Sequence, residues 1–209
     1  MKREDLILYA ITDRSWLNGE TLSAQVEKAL KGGATFVQLR EKHLDRESLL
    51  REAKEIAALC KAYGVPFVVN DDVEIALECG ADGVHVGQED MAVPEARRLL
   101  GPDKIIGATC KTVEQAILAQ RQGADYLGSG AMFPSTAKPN AQPISFDTLR
   151  EICSAVRIPV VAIGGITQEN VRQLRGCGIA GTAVVSAIFA QPDVEAAARK
   201  LYQTVTQIL

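Results

Sequence analysis

Eight short apolar runs, amphipathic stretches between them and a recurring Gly-Ala corner predict a single-domain (β/α)8 TIM barrel over residues 1–209. The runs are LILYAIT (6–12), FVQLR (36–40), PFVVND (66–71), GVHVG (83–87), KIIGATC (104–110), YLGSGAM (126–132), PVVAIGG (159–165) and TAVVSAI (182–188). Each has strand length. Between them apolar positions recur at helical spacing. Leu149, Ile152, Cys153 and Val156 form one stripe, and Val194, Ala197, Ala198, Leu201, Val205 and Ile208 another. Thr112 with Gln115 fits a capping box, and Pro192 fits a first-turn proline. Gly33-Ala34, Gly80-Ala81-Asp82 and Gly123-Ala124-Asp125 each close a helix and open a strand, and Gly178 matches more loosely. Glycine suits the left-handed position after a helix. The corners precede strands two, four, six and eight, a period of two β/α units that a closed eightfold barrel would show. An open doubly wound sheet would carry GxGxxG after its first strand, and that motif is absent. No Pro/Gly/Ser-rich linker divides the chain.

Composition narrows the function. A net charge of −3 leaves no basic field for nucleic acid. No apolar run approaches the ~20 residues of a membrane span. The opening MKREDLILYAITDR is short for a signal peptide, and Asp-Arg stands where small residues belong, so it reads as a first strand. Five scattered cysteines without a CxxC argue for reduced thiols in the cytoplasm. With only His43 and His85 present, a metal would be bound through oxygen, which suits Mg2+.

Barrel enzymes work at the C-terminal ends of their strands. After strand two, Gln38, Arg40 and Lys42 alternate onto one face while Leu39 takes the other. Amide, guanidinium and ammonium make a poor core and a good anion clamp. Strands three and four end in Asn70-Asp71-Asp72 and in Gln88-Glu89-Asp90. Carboxylates from neighbouring strand ends suit Mg2+, with Asp71 and Asp90 favoured as ligands and Asp72 or Glu89 as helix caps. Thr109 ends strand five and points inward; Cys110 has no histidine to activate it and reads as an inert thiol. His85 reads as a hydrogen-bonded residue of the barrel interior, and His43 as a loop residue. Trp16 follows strand one, either covering the site or packing beside it. Gly164-Gly165 after strand seven and Val185-Ser186 in strand eight offer the phosphate pocket usual at that corner of such barrels. Two anion sites with Mg2+ between them fit a reaction that joins a diphosphate to a phosphate.

QLREK, NDD, GVHVGQED, GAMFPSTAKPNA, AIGGI and VVSAI, in this order and spacing over essentially the whole chain, resemble the thiamine-phosphate synthase family. The resemblance implies a Mg2+-dependent transferase that condenses a pyrimidine diphosphate with a thiazole phosphate. It implies that Gln38, Leu39, Arg40, Glu41, Lys42 and Asn70 bind the pyrimidine diphosphate, with Arg40 and Lys42 on its phosphates. Asp71 and Asp90 match the metal ligands. Thr109 stands where the family usually has a serine contacting the pyrimidine. Lys138 matches a lysine on the diphosphate, so Arg40, Lys42 and Lys138 carry the catalysis. Ser135, Thr136, Ala137, Gly165, Val185 and Ser186 match the thiazole-phosphate site. The family usually reads Thr-x-Thr-Lys where this chain has Ser135-Thr136-Ala137-Lys138, so Ala137 removes one hydroxyl. Rival readings are a thiazole tautomerase-like relative, whose histidine in the strand-five loop is replaced here by Lys111, and a weakly active barrel that binds thiamine precursors.

Overall fold

The computed structural model describes residues 1–134 and 142–209. Among these, eight parallel strands close into a barrel in chain order. They are β1 (Leu8–Ile11), β2 (Phe36–Leu39), β3 (Phe67–Asn70), β4 (Gly83–Val86), β5 (Ile105–Cys110), β6 (Tyr126–Ser129), β7 (Val160–Ile163) and β8 (Gly181–Val184). Helices α1 (Leu22–Lys31), α2 (Arg46–Tyr63), α3 (Val73–Glu78), α4 (Val93–Leu100), α5 (Val113–Arg121), α6 (Phe146–Ala155), α7 (Ser186–Phe189) and α8 (Val194–Ile208) accompany them. The connection from β7 to β8 departs from the repeat. It carries a 3-10 turn at Val171–Leu174 in place of an α-helix.

Local chemistry sets these bounds. Thr21, Asp45, Asp72, Thr112, Ser145 and Asp193 each accept a backbone N–H at the start of a helix. Asp72 is thus the cap that its position suggested. Two cap details differ from expectation. Gln115 reaches back to the N–H of Lys111 rather than to that of Thr112. Pro192 precedes the Asp193 cap of α8 instead of sitting in its first turn; the first-turn proline of the fold is in α4. The four corner glycines have φ of 101°, 72°, 97° and 81° at Gly33, Gly80, Gly123 and Gly178. The residues behind three of them staple the lower rim: Thr35, Asp82 and Asp125 accept the N–H of Leu8, Phe67 and Ile106, the first residues of neighbouring strands or next to them.

Two strands stop three or more residues short of their apolar runs. β6 ends at Ser129 and β8 at Val184. The residues beyond are apolar because they are buried under the loops: Met132 is 5% exposed, and Ile188 and Phe189 in α7 are 0% and 1% exposed. Val185 and Ser186 therefore lie past β8, with Ser186 opening α7.

Alternation divides the side chains between two cores. Leu8, Ala10, Leu39, Val69, Val84 and Leu127 face the helices. Tyr9, Phe36, Val68, Tyr126, Val161 and Ala183 fill the barrel. Tyr9, Phe36 and Tyr126 meet edge to face, with ring centroids 4.7 to 5.9 Å apart. This plug closes the lower half and leaves the C-terminal mouth for a site. No helix among the described residues is long and apolar enough to cross a membrane.

Candidate active site

Above the plug lies a cavity of about 190 Å3, lined by inward residues of the strands and the loops that follow them. Gln38, Arg40, Asn70, His85, Thr109 and Lys111 supply its polar wall, and Gly165, Val185 and Ser186 line the side beyond the ends of β7 and β8. The β2 end is held in place by Thr12, whose buried hydroxyl accepts the N–H of Arg40 at 3.0 Å. Gln38 and Arg40 enter the cavity together. Lys42 stands at its rim. The intervening side chains go elsewhere: Leu39 is buried against the helices, and Glu41 pairs with Arg14 at 3.1 Å. Burial pushes the Glu41 carboxyl up and Arg14 opposes it. Leu39 and Glu41 thus keep only their backbone near a substrate, because strand alternation turns every second side chain outward.

A buried hydrogen-bond chain crosses the cavity floor. Gln38 Nε2 donates to the Tyr9 hydroxyl. Tyr9 and Tyr126 hydroxyls are 2.8 Å apart, Tyr126 Oη is 2.9 Å from His85 Nδ1, and His85 Nε2 is 3.0 Å from Thr109 Oγ1. Burial holds both tyrosine hydroxyls well above their usual pKa, so both are neutral donors. Burial also lowers His85 to a pKa of about 4, with Asp90 opposing, so the ring is neutral and carries one N–H. One arrangement of protons satisfies every contact with Gln38 as the donor to Tyr9, each hydroxyl giving its proton to the next group. Tyr126 donates to His85 Nδ1, His85 donates from Nε2, and Thr109 receives. The Thr109 proton is left for the cavity. Gly107 makes room for this chain, since a Cβ there would lie 2.4 Å from both His85 Nδ1 and the Tyr126 hydroxyl.

This burial has a stability consequence. A histidine lowered from 6.5 to about 4 binds its proton more readily in the unfolded chain. Its contribution is complete above pH 6.5 and is lost as pH falls toward 4, by at most about 3 kcal/mol. His85→Gln should therefore lose less stability than the parent between about pH 7.5 and pH 5, read as urea midpoints at each pH. Equal losses in both proteins would refute the buried neutral imidazole.

At the rim β3 and β4 bring two carboxylates together. Asp71 adopts φ 63°, a left-handed conformation uncommon outside glycine and typical of functional positions. Its Oδ2 receives Asn70 Nδ2 at 2.5 Å and Lys42 Nζ at 2.7 Å. Asp90 Oδ2 accepts the N–H of Gly87 at 2.8 Å. Partial burial, then contact with Asp71, hold the Asp90 carboxyl above its usual range. No cluster of three ligating side chains occurs among the described residues, and the crowded Asp71–Asp90 pair is the place that could take a hard cation such as Mg2+. That ion takes one or two carboxylates and completes its shell with water and substrate phosphate.

The β6 end is tied to β7. Met132 and Phe133 donate to Ile163 O and Gly164 O at 3.0 Å, and Ile144 donates to Ala131 O at 2.9 Å. Gly165 has φ 64° and its carbonyl accepts Asn170 Nδ2 at 2.9 Å. Ser186 heads α7, in which Ile188 and Phe189 donate to Val185 O at 3.1 and 3.0 Å, so the amides of Ser186 and Ala187 stand at its open start. Ser135, Thr136, Ala137 and Lys138 lie outside the described residues.

A model of thiamine monophosphate synthase matches residues 8–188 of the chain. A thiamine-phosphate synthase from Clostridium tetani is 45% identical over 200 residues, which span 96% of each protein. The chloroplastic thiamine biosynthetic bifunctional enzyme TH1 of Arabidopsis thaliana is 47% identical over 98% of this chain, which spans 40% of that longer protein. The solved thiamine phosphate pyrophosphorylase from Pyrococcus furiosus superposes with a TM-score of 0.91 at 40% identity, covering 99% of this chain and 98% of that one.

The chain belongs to the thiamine monophosphate synthase family.

Within this family member, the other singled-out side chains fall outside the cavity wall. Cys110 is buried with its thiol pushed up to about 12, as inert as its position suggested. Trp16 packs against the core between sheet and helices, and donates nothing to the cavity wall. Tyr9 and Tyr126 escape a reading of the sequence, because each lies inside an apolar run. Lys111 is conspicuous only by position, two residues beyond Thr109 on the same side of the strand end.

Proposed function

We propose that this chain is a thiamine-phosphate synthase, working in the cytoplasm as one (β/α)8 unit over residues 1–209. It joins an aminopyrimidine bearing a diphosphate on its methylene carbon to a thiazole phosphate, and releases diphosphate. The observation that carries the reading is one mouth holding the Asp71–Asp90 pair, the cavity-lining Arg40 and a neutral relay ending at Thr109. The donor set matches the substrate. Gln38 offers its amide oxygen to an exocyclic amine, and the Thr109 hydroxyl donates to an acceptor on the substrate.

Chemistry follows from charge. As the C–O bond breaks, its electron pair leaves with the diphosphate, and the electron-rich ring stabilises the methylene cation. Arg40 grips phosphate oxygens through paired N–H groups, with Lys42 at the rim beside it, and the family resemblance assigns Lys138 to the same diphosphate. Mg2+ held by Asp71 and Asp90 would supply Lewis-acid stabilisation of the same charge. The thiazole nitrogen lone pair then forms the new C–N bond. Gly165, Val185 and Ser186, with Ser135 to Ala137, hold the thiazole phosphate, so position replaces a general base. A neutral His85 suits this scheme, because no proton has to be removed from the nucleophile.

Purified protein given both substrates and Mg2+ should form thiamine phosphate. EDTA should abolish the product, and Arg40→Ala should sharply reduce it. Folded protein without product sinks the reading, and a rearranged thiazole as the sole product would point to an isomerase. No nucleic acid or membrane partner is required.

A further inference from the structure

We propose that Lys111 is a further contact of the leaving diphosphate, completing on the β5 side the cationic arc that Arg40 and Lys42 begin on β2. The proposal rests on the synthase reading above. Its starting point is charge balance. Asp71 and Asp90 together match the two positive charges of a divalent ion. Lys42 is already engaged by Asp71 at 2.7 Å. With the Asp71–Asp90 pair balanced by a divalent ion, the excess positive charge that favours diphosphate departure comes from Lys42 and from the cations that no carboxylate holds. Among the described residues, the cavity wall has two, Arg40 and Lys111, and neither takes part in an ion pair there.

Position supports the assignment. Ala108 pairs with Val86 on β4, and Cys110 pairs with Ser129 on β6. Lys111 therefore rises from β5 between the loop that bears Asp90 and the start of the β6 loop. It follows Thr109 by two residues, so it lies on the same face one step nearer the mouth. Its backbone is fixed from both sides: its own N–H goes to Gln115 Oε1 at 2.8 Å, and Thr109 O accepts Gln88 Nε2 at 2.5 Å. The side chain is half-buried on the cavity wall, unlike a solvated rim lysine. β2 and β5 stand on either side of the carboxylate pair carried by β3 and β4. Arg40 and Lys111 thus approach one anion from two sides. When the C–O bond breaks, the electron pair moves onto the diphosphate oxygen, and Lys111 stabilises that charge without transferring a proton.

The test compares Lys111→Gln and Lys111→Arg with the parent protein. Lys111→Gln should lower kcat/KM for the pyrimidine diphosphate by about 10- to 100-fold, the effect of losing one charged hydrogen bond. Inhibition by inorganic diphosphate should weaken by about tenfold, while KM for thiazole phosphate stays within about twofold. Lys111→Arg should recover most of the loss. Thermal stabilisation by inorganic diphosphate without added metal should also fall in Lys111→Gln, a readout independent of turnover. An active parent with unchanged diphosphate inhibition in both variants overturns the role of Lys111 and leaves the synthase reading standing. A loss expressed only in KM for thiazole phosphate also overturns it. A parent that makes no thiamine phosphate overturns both.

Discussion

Asp71→Asn should lower turnover in saturating Mg2+ by about 100-fold or more, because a Lewis acid supplies several kcal/mol of charge stabilisation. The variant isolates charge from shape. Asp71 sits at φ 63°, and asparagine tolerates that conformation almost as well as aspartate. The fold and the Asn70 contact should therefore survive, and the urea midpoint should move little. Asp71→Ala should lose the same activity and, in addition, about 1–2 kcal/mol of stability from a left-handed alanine. Two further local changes accompany the lost charge. Lys42 loses its carboxylate partner, 2.7 Å away in the parent. Asp90 loses the neighbour that helps to hold its carboxyl high, so its titration should move toward the ordinary range. An Asp71→Asn protein within a few-fold of parent activity at every Mg2+ concentration would remove Asp71 from the metal site.

The barrel was legible because its signals are local. An apolar run of strand length, a cap three residues before its partner and a glycine corner all fall within a short window. The strand ends were legible for the same reason: Arg40 and Asn70 stand out against the apolar residues that precede them. What stayed hidden depends on partners far along the chain. Tyr9 and Tyr126 bond across 117 residues, and within LILYAIT and YLGSGAM they look like any core aromatic. The expected interior role of His85 needed no partner to be seen, but the direction of its relay did. Glu41 entered the site only through the family resemblance, and its side chain pairs with Arg14 from the preceding loop, a partner that the sequence does not mark. Val185 and Ser186 were read as strand because apolarity continues through Ile188, yet that apolarity serves the core beneath α7. Lys111 drew notice only as the place where a relative would have histidine.

Gly165→Ala should have the second large effect, and it should be specific to the thiazole phosphate. Gly165 has φ 64°, so alanine pays the left-handed cost of about 1–2 kcal/mol before any contact is counted. The contacts are worse. A Cβ there would lie 2.3 Å from Pro134 O and 2.4 Å from Phe133 O. Both obstacles are backbone, so no rotamer change relieves them. Nor can the two stretches drift apart freely. Phe133 donates to Gly164 O at 3.0 Å, and Asn170 holds Gly165 O at 2.9 Å. Relief breaks one of these bonds or widens the corner between β7 and the residues leading to Ser135. Either change distorts the pocket wall that Gly165 forms. KM for thiazole phosphate should rise at least about tenfold, the loss of one charged hydrogen bond, and stability should fall by about 2–4 kcal/mol. KM for the pyrimidine diphosphate should change much less, because Arg40, Lys42, Asp71 and Asp90 belong to β2, β3 and β4 and the loops that follow them. Steady-state kinetics varying one substrate at a time, run below the variant's melting point, separates the two constants. Equal losses for both substrates would mean that the whole mouth has collapsed, and an unchanged thiazole-phosphate KM would take Gly165 out of that pocket.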